Sequence, residues 1–217
     1  MKIVALSDTH MGHSAITDIP SGDMIIHAGD LTSVGKKWEV KDFLDWFDSL
    51  NFKYKIFIAG NHDFLFEQDP IVARKIIPNG VIYLQDESVL VEGIKFYGSP
   101  YTLEFGNWAF MKKPGKEMYT CCSKIPTDTD VIITHGPPFG ILDQCIRGKN
   151  LGSIELTNRI NQCNPLAHVF GHIHEGHGRF TNEKGTQFIN ASILNDKYLH
   201  VNDPVQFVVE ARSFINS

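Results

Sequence analysis

The chain has 217 residues and a net charge of −5, with 42% apolar and 21% charged side chains. These are the proportions of an ordinary soluble globular protein, long enough to bury a core without a disulfide or metal staple. Its five arginines, Arg74, Arg147, Arg159, Arg179 and Arg212, are scattered. That argues against an extended duplex-binding surface but leaves room for a small anionic substrate.

The four cysteines, Cys121, Cys122, Cys145 and Cys163, show no CxxC spacing and read as reduced thiols. No apolar run approaches the roughly 18 residues a membrane helix needs, and the N-terminus passes directly into a strand pattern. The expectation is a cytosolic protein with no membrane contact, whose oligomeric state the sequence leaves open.

In chain order, Lys2–Ser7 is a short apolar strand ending in Asp8-Thr9-His10, and Asp23–Ala28 repeats the design, ending in Gly29-Asp30. Trp38–Leu50 carries Phe43, Leu44, Trp46, Phe47 and Leu50 at helical spacing, so it reads as an amphipathic helix whose aromatic stripe faces the core. Lys55–Ala59 is a third strand and delivers Gly60-Asn61-His62-Asp63. Ile71–Ile77 reads as a short helix stopped by Pro78, Val81–Leu84 as a strand, and Ser88–Val91 with Ile94–Tyr97 as a hairpin. Residues 100–118 are aromatic and rich in Gly and Pro without period, and read as an excursion over the surface.

Further on, Asp130–Thr134 is a strand delivering His135, and Ser153–Cys163 is a helix with Ser153 as N-cap. Ala167–Phe170 is a strand delivering Gly171-His172-Ile173-His174. Thr186–Ala191 and Val205–Glu210 complete the set as late strands, the second at an edge. This alternation of strands and helices, without repeat or linker, predicts a single α/β layered domain over 1–217.

Five strand ends therefore carry metal-type side chains: Asp8 with His10, Asp30, Asn61 to Asp63, His135, and His172 with His174. Strand ends of α/β sheets are where ligands bind. Residues i and i+2 of an extended chain project to one side, so Asp8/His10 and His172/His174 can each aim at one compact site. The donors are nitrogen and oxygen without thiolate, which suits Mn, Fe or Zn better than Ca or Mg. Seven ligands are too many for one such ion and suit two, about 3.5–4 Å apart across a shared carboxylate.

In this order and spacing, the blocks Asp8-x-His10, Gly29-Asp30, Gly60-Asn61-His62-Asp63, His135 and Gly171-His172-x-His174 resemble the calcineurin-like metallophosphoesterase superfamily. Gly98-Ser99-Pro100, Thr134–Pro138 and Phe170–Gly176 further resemble its small metallophosphoesterase-domain-containing subfamily. The resemblance implies a four-layer αββα sandwich of two mixed β-sheets flanked by helices. It implies one divalent ion on Asp8, His10, Asp30 and His174, and a second on Asp30, Asn61, His135 and His172. Mn²⁺ is the first choice, with Fe, Zn or Ni as alternatives. Asp63 departs from the Glu that many superfamily members carry.

The expected reaction is hydrolysis of a phosphoester by in-line attack of a metal-bridging hydroxide. His62 would act as general acid and Asp63 would orient it. The superfamily's protein phosphatases carry Asp-Arg-Gly after the second block, where this chain reads Asp30-Leu31-Thr32. Only Arg179 lies near a metal motif. That favours a small or nucleotide phosphodiester, with Tyr101, Phe105, Trp108 and Phe139 available to stack on a base. A phosphomonoesterase and a non-catalytic scaffold of the same fold stand as alternatives. His27 reads as a hydrogen-bonded core residue, and His13 and His177 as solvated loop positions.

Overall fold

The computed structural model describes residues 1–212. Strands β1 (Lys2–Leu6) and β2 (Met24–Ala28) precede helix α1 (Lys37–Ser49), strand β3 (Tyr54–Ile58), helices α2 (Phe64–Gln68) and α3 (Pro70–Lys75), and strand β4 (Val81–Tyr83). The hairpin of β5 (Glu87–Val91) and β6 (Ile94–Ser99) leads through two short strands, β7 (Thr102–Leu103) and β8 (Met111–Lys112), to helix α4 (Lys116–Cys122). Strand β9 (Val131–Thr134), helix α5 (Ile154–Cys163) and strands β10 (Ala167–Phe170), β11 (Gly178–Thr181), β12 (Gln187–Asn190) and β13 (Val205–Val208) complete the chain.

The strands form two large mixed sheets, ordered β13-β1-β2-β3-β4 and β11-β12-β10-β9-β6-β5. Within each sheet the inner strands run parallel, while β13, β5 and β11 pair antiparallel with their neighbours. The near-continuous apolar runs of β1, β2, β3, β9 and β10 follow from this, because a strand covered on both faces has no solvent side to make polar.

Three apolar layers hold the structure. Ile26, Ile58, Phe96, Ile133 and Val169 interdigitate between the sheets. Phe43 and Phe47 of α1 and Phe66 of α2 pack against Phe57 on the outer face of the first sheet. Met118 and Cys122 of α4 and Leu156 and Ile160 of α5 cover Ile132 and Phe170 on the second. The order is helix, sheet, sheet, helix, as expected. Each fully buried Phe contributes roughly 1.5–3 kcal/mol by leaving water. Ser153 caps α5 through its hydroxyl, which accepts from the Leu156 amide at 3.1 Å. All four cysteines are free thiols. No helix among the described residues is long and apolar enough to cross a membrane.

Residues 100–118 differ from the expected surface excursion. Ala109 and Phe110 are buried in the layer under α1, and α4 at the end of the segment packs on β6 and α5 through Met118 and Cys122. Two-residue strands and a seven-residue helix carry too few periods to be seen in sequence. His13 is also buried rather than solvated, on a 3₁₀ turn. Its ring lies against Phe43 and Trp46, with Nε2 3.3 Å from Asp42. His27 is buried as expected, paired with the Thr9 hydroxyl at 3.1 Å.

Candidate metal centre

All five motif blocks come together at the C-terminal ends of parallel strands, with β1, β2 and β3 supplying one side and β9 and β10 the other. Backbone geometry aims the side chains inward. Asp8, His10, Asp30 and His172 all have positive φ, between 41° and 69°, a left-handed conformation that costs a non-glycine residue about 1 kcal/mol and clusters at functional sites. Glycines admit the close approach. A Cβ on Gly171 would sit 2.2 Å from Asp8 Oδ2, and one on Gly60 would sit 2.3 Å from Asp30 Oδ1.

The two aspartates are buried and held by main-chain and hydroxyl donors. Asp8 accepts from the His172 amide (3.0 Å) and the Ser192 hydroxyl (2.5 Å), and Asp30 from the His62 amide (2.8 Å). Imidazole nitrogens surround them: His174 Nε2 is 3.5 Å from Asp8, and His10 and His135 Nε2 are 3.5 and 3.3 Å from Asp30. Asn61 Oδ1 lies 3.0 Å from His135 Nε2. The donor atoms of Asp8, His10 and His174 lie within 4.8 Å of one another, and so do those of Asp30, His135 and His172. Since His10 also faces Asp30, the two adjacent clusters of donors meet at that carboxylate, as a shared ligand requires.

The residues fit a pair of cations. Both nitrogens of His10 are buried without a hydrogen-bond partner, a costly state unless something else bonds them. Burial holds His10 down at about 4 and His172 at about 3, so both are neutral and free to ligate. Burial raises Asp30, but the charge on His135 outweighs it and keeps the carboxylate well below its usual range. Burial likewise lowers His135 and His174, yet Asp30 and Asp8 pull them up to about 9. The Ala28 and Asn195 carbonyls, at 2.9 and 3.0 Å, face their Nδ1 atoms. They fix the tautomer that presents Nε2 to the site.

His62 stands beside this centre, edge-on to His10 at 4.5 Å and stacked on Trp108 at 4.2 Å. A nitrogen of its ring also lies in donor range of His10 and Asp30. The expected contact from Asp63 is corrected. His62 Nδ1 faces the Ser33 carbonyl at 2.7 Å, while the Asp63 carboxylate accepts from the Gly60, Leu31 and Thr32 amides and the Thr32 hydroxyl. Its short arm ends in the backbone of the 31–33 loop, so it positions His62 through that loop. Burial and the charge of Asp30 raise Asp63 to about 6.

A cavity of about 670 Å³ opens over the centre. Phe105, Trp108 and Phe139 line it, as do Glu104, Glu155, Glu175 and Asp196, and no Lys or Arg does. Tyr101 is not among the lining residues of this cavity; its hydroxyl bonds Asp86 at 3.1 Å. Arg179 is turned away, donating to the Gln206 carbonyl and Gln187. Sequence reasoning missed Ser192, Ser33, Asn195 and Tyr198. Ser33 and Asn195 act through main-chain carbonyls, which leave no mark in the sequence.

The calcineurin-like phosphoesterase profile matches residues 1–176. The chain belongs to that family. Metallophosphoesterase domain-containing protein 1 of Homo sapiens is 38% identical, over 94% of this chain and 69% of its own. UPF0046 protein K07C11.7 of Caenorhabditis elegans is 34% identical, over 98% and 77%. Among solved structures, TT1561 of Thermus thermophilus superposes with a TM-score of 0.63 at 14% identity, over 87% of this chain and 88% of that one, a likeness of fold alone. Membership of the calcineurin-like phosphoesterases brings metal-dependent phosphoester hydrolysis as the family's chemistry, and the Asp/His clusters are of the kind it uses.

Proposed function

We propose that the protein is a dinuclear-metal-dependent phosphodiesterase acting on small or nucleotide diesters. Asp8, His10, Asp30 and His174 would hold one ion and Asp30, Asn61, His135 and His172 the other. Mn²⁺ is the first choice for these nitrogen and oxygen donors. Such ions, when bound, supply Lewis acidity, which makes water a nucleophile near neutral pH and offsets charge on the phosphoryl oxygens. The chain's own residues do the rest. His62 gives a proton from Nε2 to the leaving oxygen, while Ser33 holds its other nitrogen and Trp108 fixes the plane of its ring. Asp63 keeps the 31–33 loop in register for that contact. The four free thiols support a cytosolic setting.

The observation that carries the diester reading is the cavity lining: apart from the candidate donors and His62, it offers four carboxylates, four Phe, Trp or Tyr rings and no Lys or Arg. A monoester dianion needs further positive charge beyond the metals, and rim carboxylates repel its second charge, whereas a diester monoanion needs none. With Mn²⁺ loaded, bis-p-nitrophenyl phosphate is expected to be hydrolysed in preference to p-nitrophenyl phosphate. His62→Ala is expected to keep two ions per chain and lose roughly 10²–10⁴ in turnover on unactivated esters. The reverse substrate preference overturns the diester reading, and unchanged turnover removes His62 from the reaction.

A further inference from the structure

The main cavity is not the only approach to the centre. A second recess of about 460 Å³ lies beside it, bordered by Gly12, Ala15, Ser33 and Leu199. Three residues border both spaces: His10, His62 and Tyr198. Tyr198 is built into that position. Its ring stands edge-on to His10 at 4.9 Å and to His174 at 5.4 Å. Its backbone is left-handed, with φ at 58°, an outlying conformation for a bulky residue. Asn195 enforces it, accepting the Tyr198 amide on its carbonyl and the Lys197 and Leu199 amides on its side chain. The same Asn195 carbonyl orients His174, so one turn sets both the donor and the tyrosine.

We propose that Tyr198 divides the substrate site into two arms, one for each ester group of a phosphodiester. The leaving group lies in the large aromatic arm and the retained group in the recess beside Gly12. The assignment of arms follows from His62. Its Nδ1 is taken by the carbonyl of Ser33, which borders the recess, and Nε2 lies across the ring from it. That leaves Nε2 for the side of Asp30, which lines the aromatic cavity and not the recess, so the proton donor serves the aromatic arm. This inference rests on the phosphodiesterase reading and adds a site for the part of the substrate that does not leave.

The test holds the leaving group constant. Water adds to phosphorus and the bond to p-nitrophenolate breaks in both p-nitrophenyl methyl phosphate and p-nitrophenyl phenyl phosphate, so only the retained arm differs. With Mn²⁺-loaded enzyme, the phenyl-to-methyl ratio of kcat/KM, normalised to the uncatalysed rates, is expected to be about ten, the worth of an apolar group entering a partly closed pocket. A Cβ on Gly12 meets nothing within 4 Å, so Gly12→Phe can be introduced without a backbone clash, and its ring at the border of the recess should bring the ratio toward one. Tyr198→Ala, which opens the partition, should lower it as well. A wild-type ratio of one, or a ratio unmoved in both variants, overturns the two arms while leaving the diesterase in place. If the loaded enzyme hydrolyses neither diester, the phosphodiesterase reading falls and the arms fall with it.

Discussion

Gly171→Ala replaces one hydrogen with a methyl group and should dismantle half of the metal centre. The new Cβ would lie 2.2 Å from Asp8 Oδ2, 2.2 Å from Ser7 Oγ and 2.7 Å from Ser7 Cβ, where ordinary contact begins at 3.4 Å. The carboxylate or β10 must therefore move by about 1 Å. Neither has room, because Ser7 and Asp8 are both fully buried and Asp8 is tied to Ser192 and the His172 amide. Overpacking of this kind costs about 1–3 kcal/mol, and displacing a ligand costs metal affinity at least as much as losing its support, roughly 10–100-fold. Urea unfolding with chelator present reads the first quantity, and isothermal titration with Mn²⁺ reads the second. Gly12→Ala is the control, since its Cβ meets nothing and it should match wild type in both. If Gly171→Ala binds two ions with wild-type affinity and unfolds within about 0.5 kcal/mol of wild type, Asp8 is not a ligand held at that position.

Acid should unfold the protein through two histidines outside the centre. Burial holds His27 and His168 down at about 3, against 6.5 for a free imidazole. Their contribution to stability is full above 6.5 and is lost as pH falls toward 3, by up to ~1.4 kcal/mol per pH unit for each. His168→Leu should flatten the limb of unfolding free energy between pH 6 and 4.5 by one proton, and identical slopes would contradict the assignment. Metal loading should also release protons, because His135 and His174 sit at about 9 and a cation displaces what they carry at neutral pH. Titration enthalpies should then vary with the ionisation enthalpy of the buffer, and affinity should rise with pH up to about 9. A buffer-independent enthalpy would mean the two nitrogens are not ligands.

The convergence of the seven candidate donors was legible because the five blocks that carry them each end an apolar run that reads as a buried strand, and because five such ends in order are hard to obtain otherwise. The groups that hold the donors were not. Ser33 acts on His62 through a carbonyl, and any residue at position 33 offers the same atom. Asp63 stands next to His62 in sequence and reads as its partner, yet the turn that aims His62 at Ser33 sends Asp63 toward the amides of residues 31 and 32. Neighbours in a loop do not share a direction as neighbours in a helix or strand do. Tyr198 and Asn195 were hidden differently: an Asn in a polar turn is commonplace, and only the fold brings that turn against His10 and His174.

The contacts of the two buried aspartates explain why the site and the sandwich are one structure. Asp8 follows a strand of the first sheet and is bonded by His172 and Ser192, which follow strands of the second. Ser7 and Ser192 form a parallel bridge beside it, joining the two sheets at this edge alone among the isolated bridges. Asp30 belongs to the first sheet and faces His135 of the second, whose Nδ1 reaches back to Ala28. The Asp8–His10–His174 and Asp30–His135–His172 clusters therefore each draw on both sheets, and neither can assemble in a chain whose sheets have not docked. Two carboxylates buried at one sheet edge are costly without compensating positive charge, and uncompensated they would weaken the docking that creates the edge. Imidazolium protons supply that charge on His135 and His174, and divalent cations would supply more of it at the same points. Metal affinity and sheet docking are then two readings of one free energy, linked as any ligand specific to the native state is linked to folding.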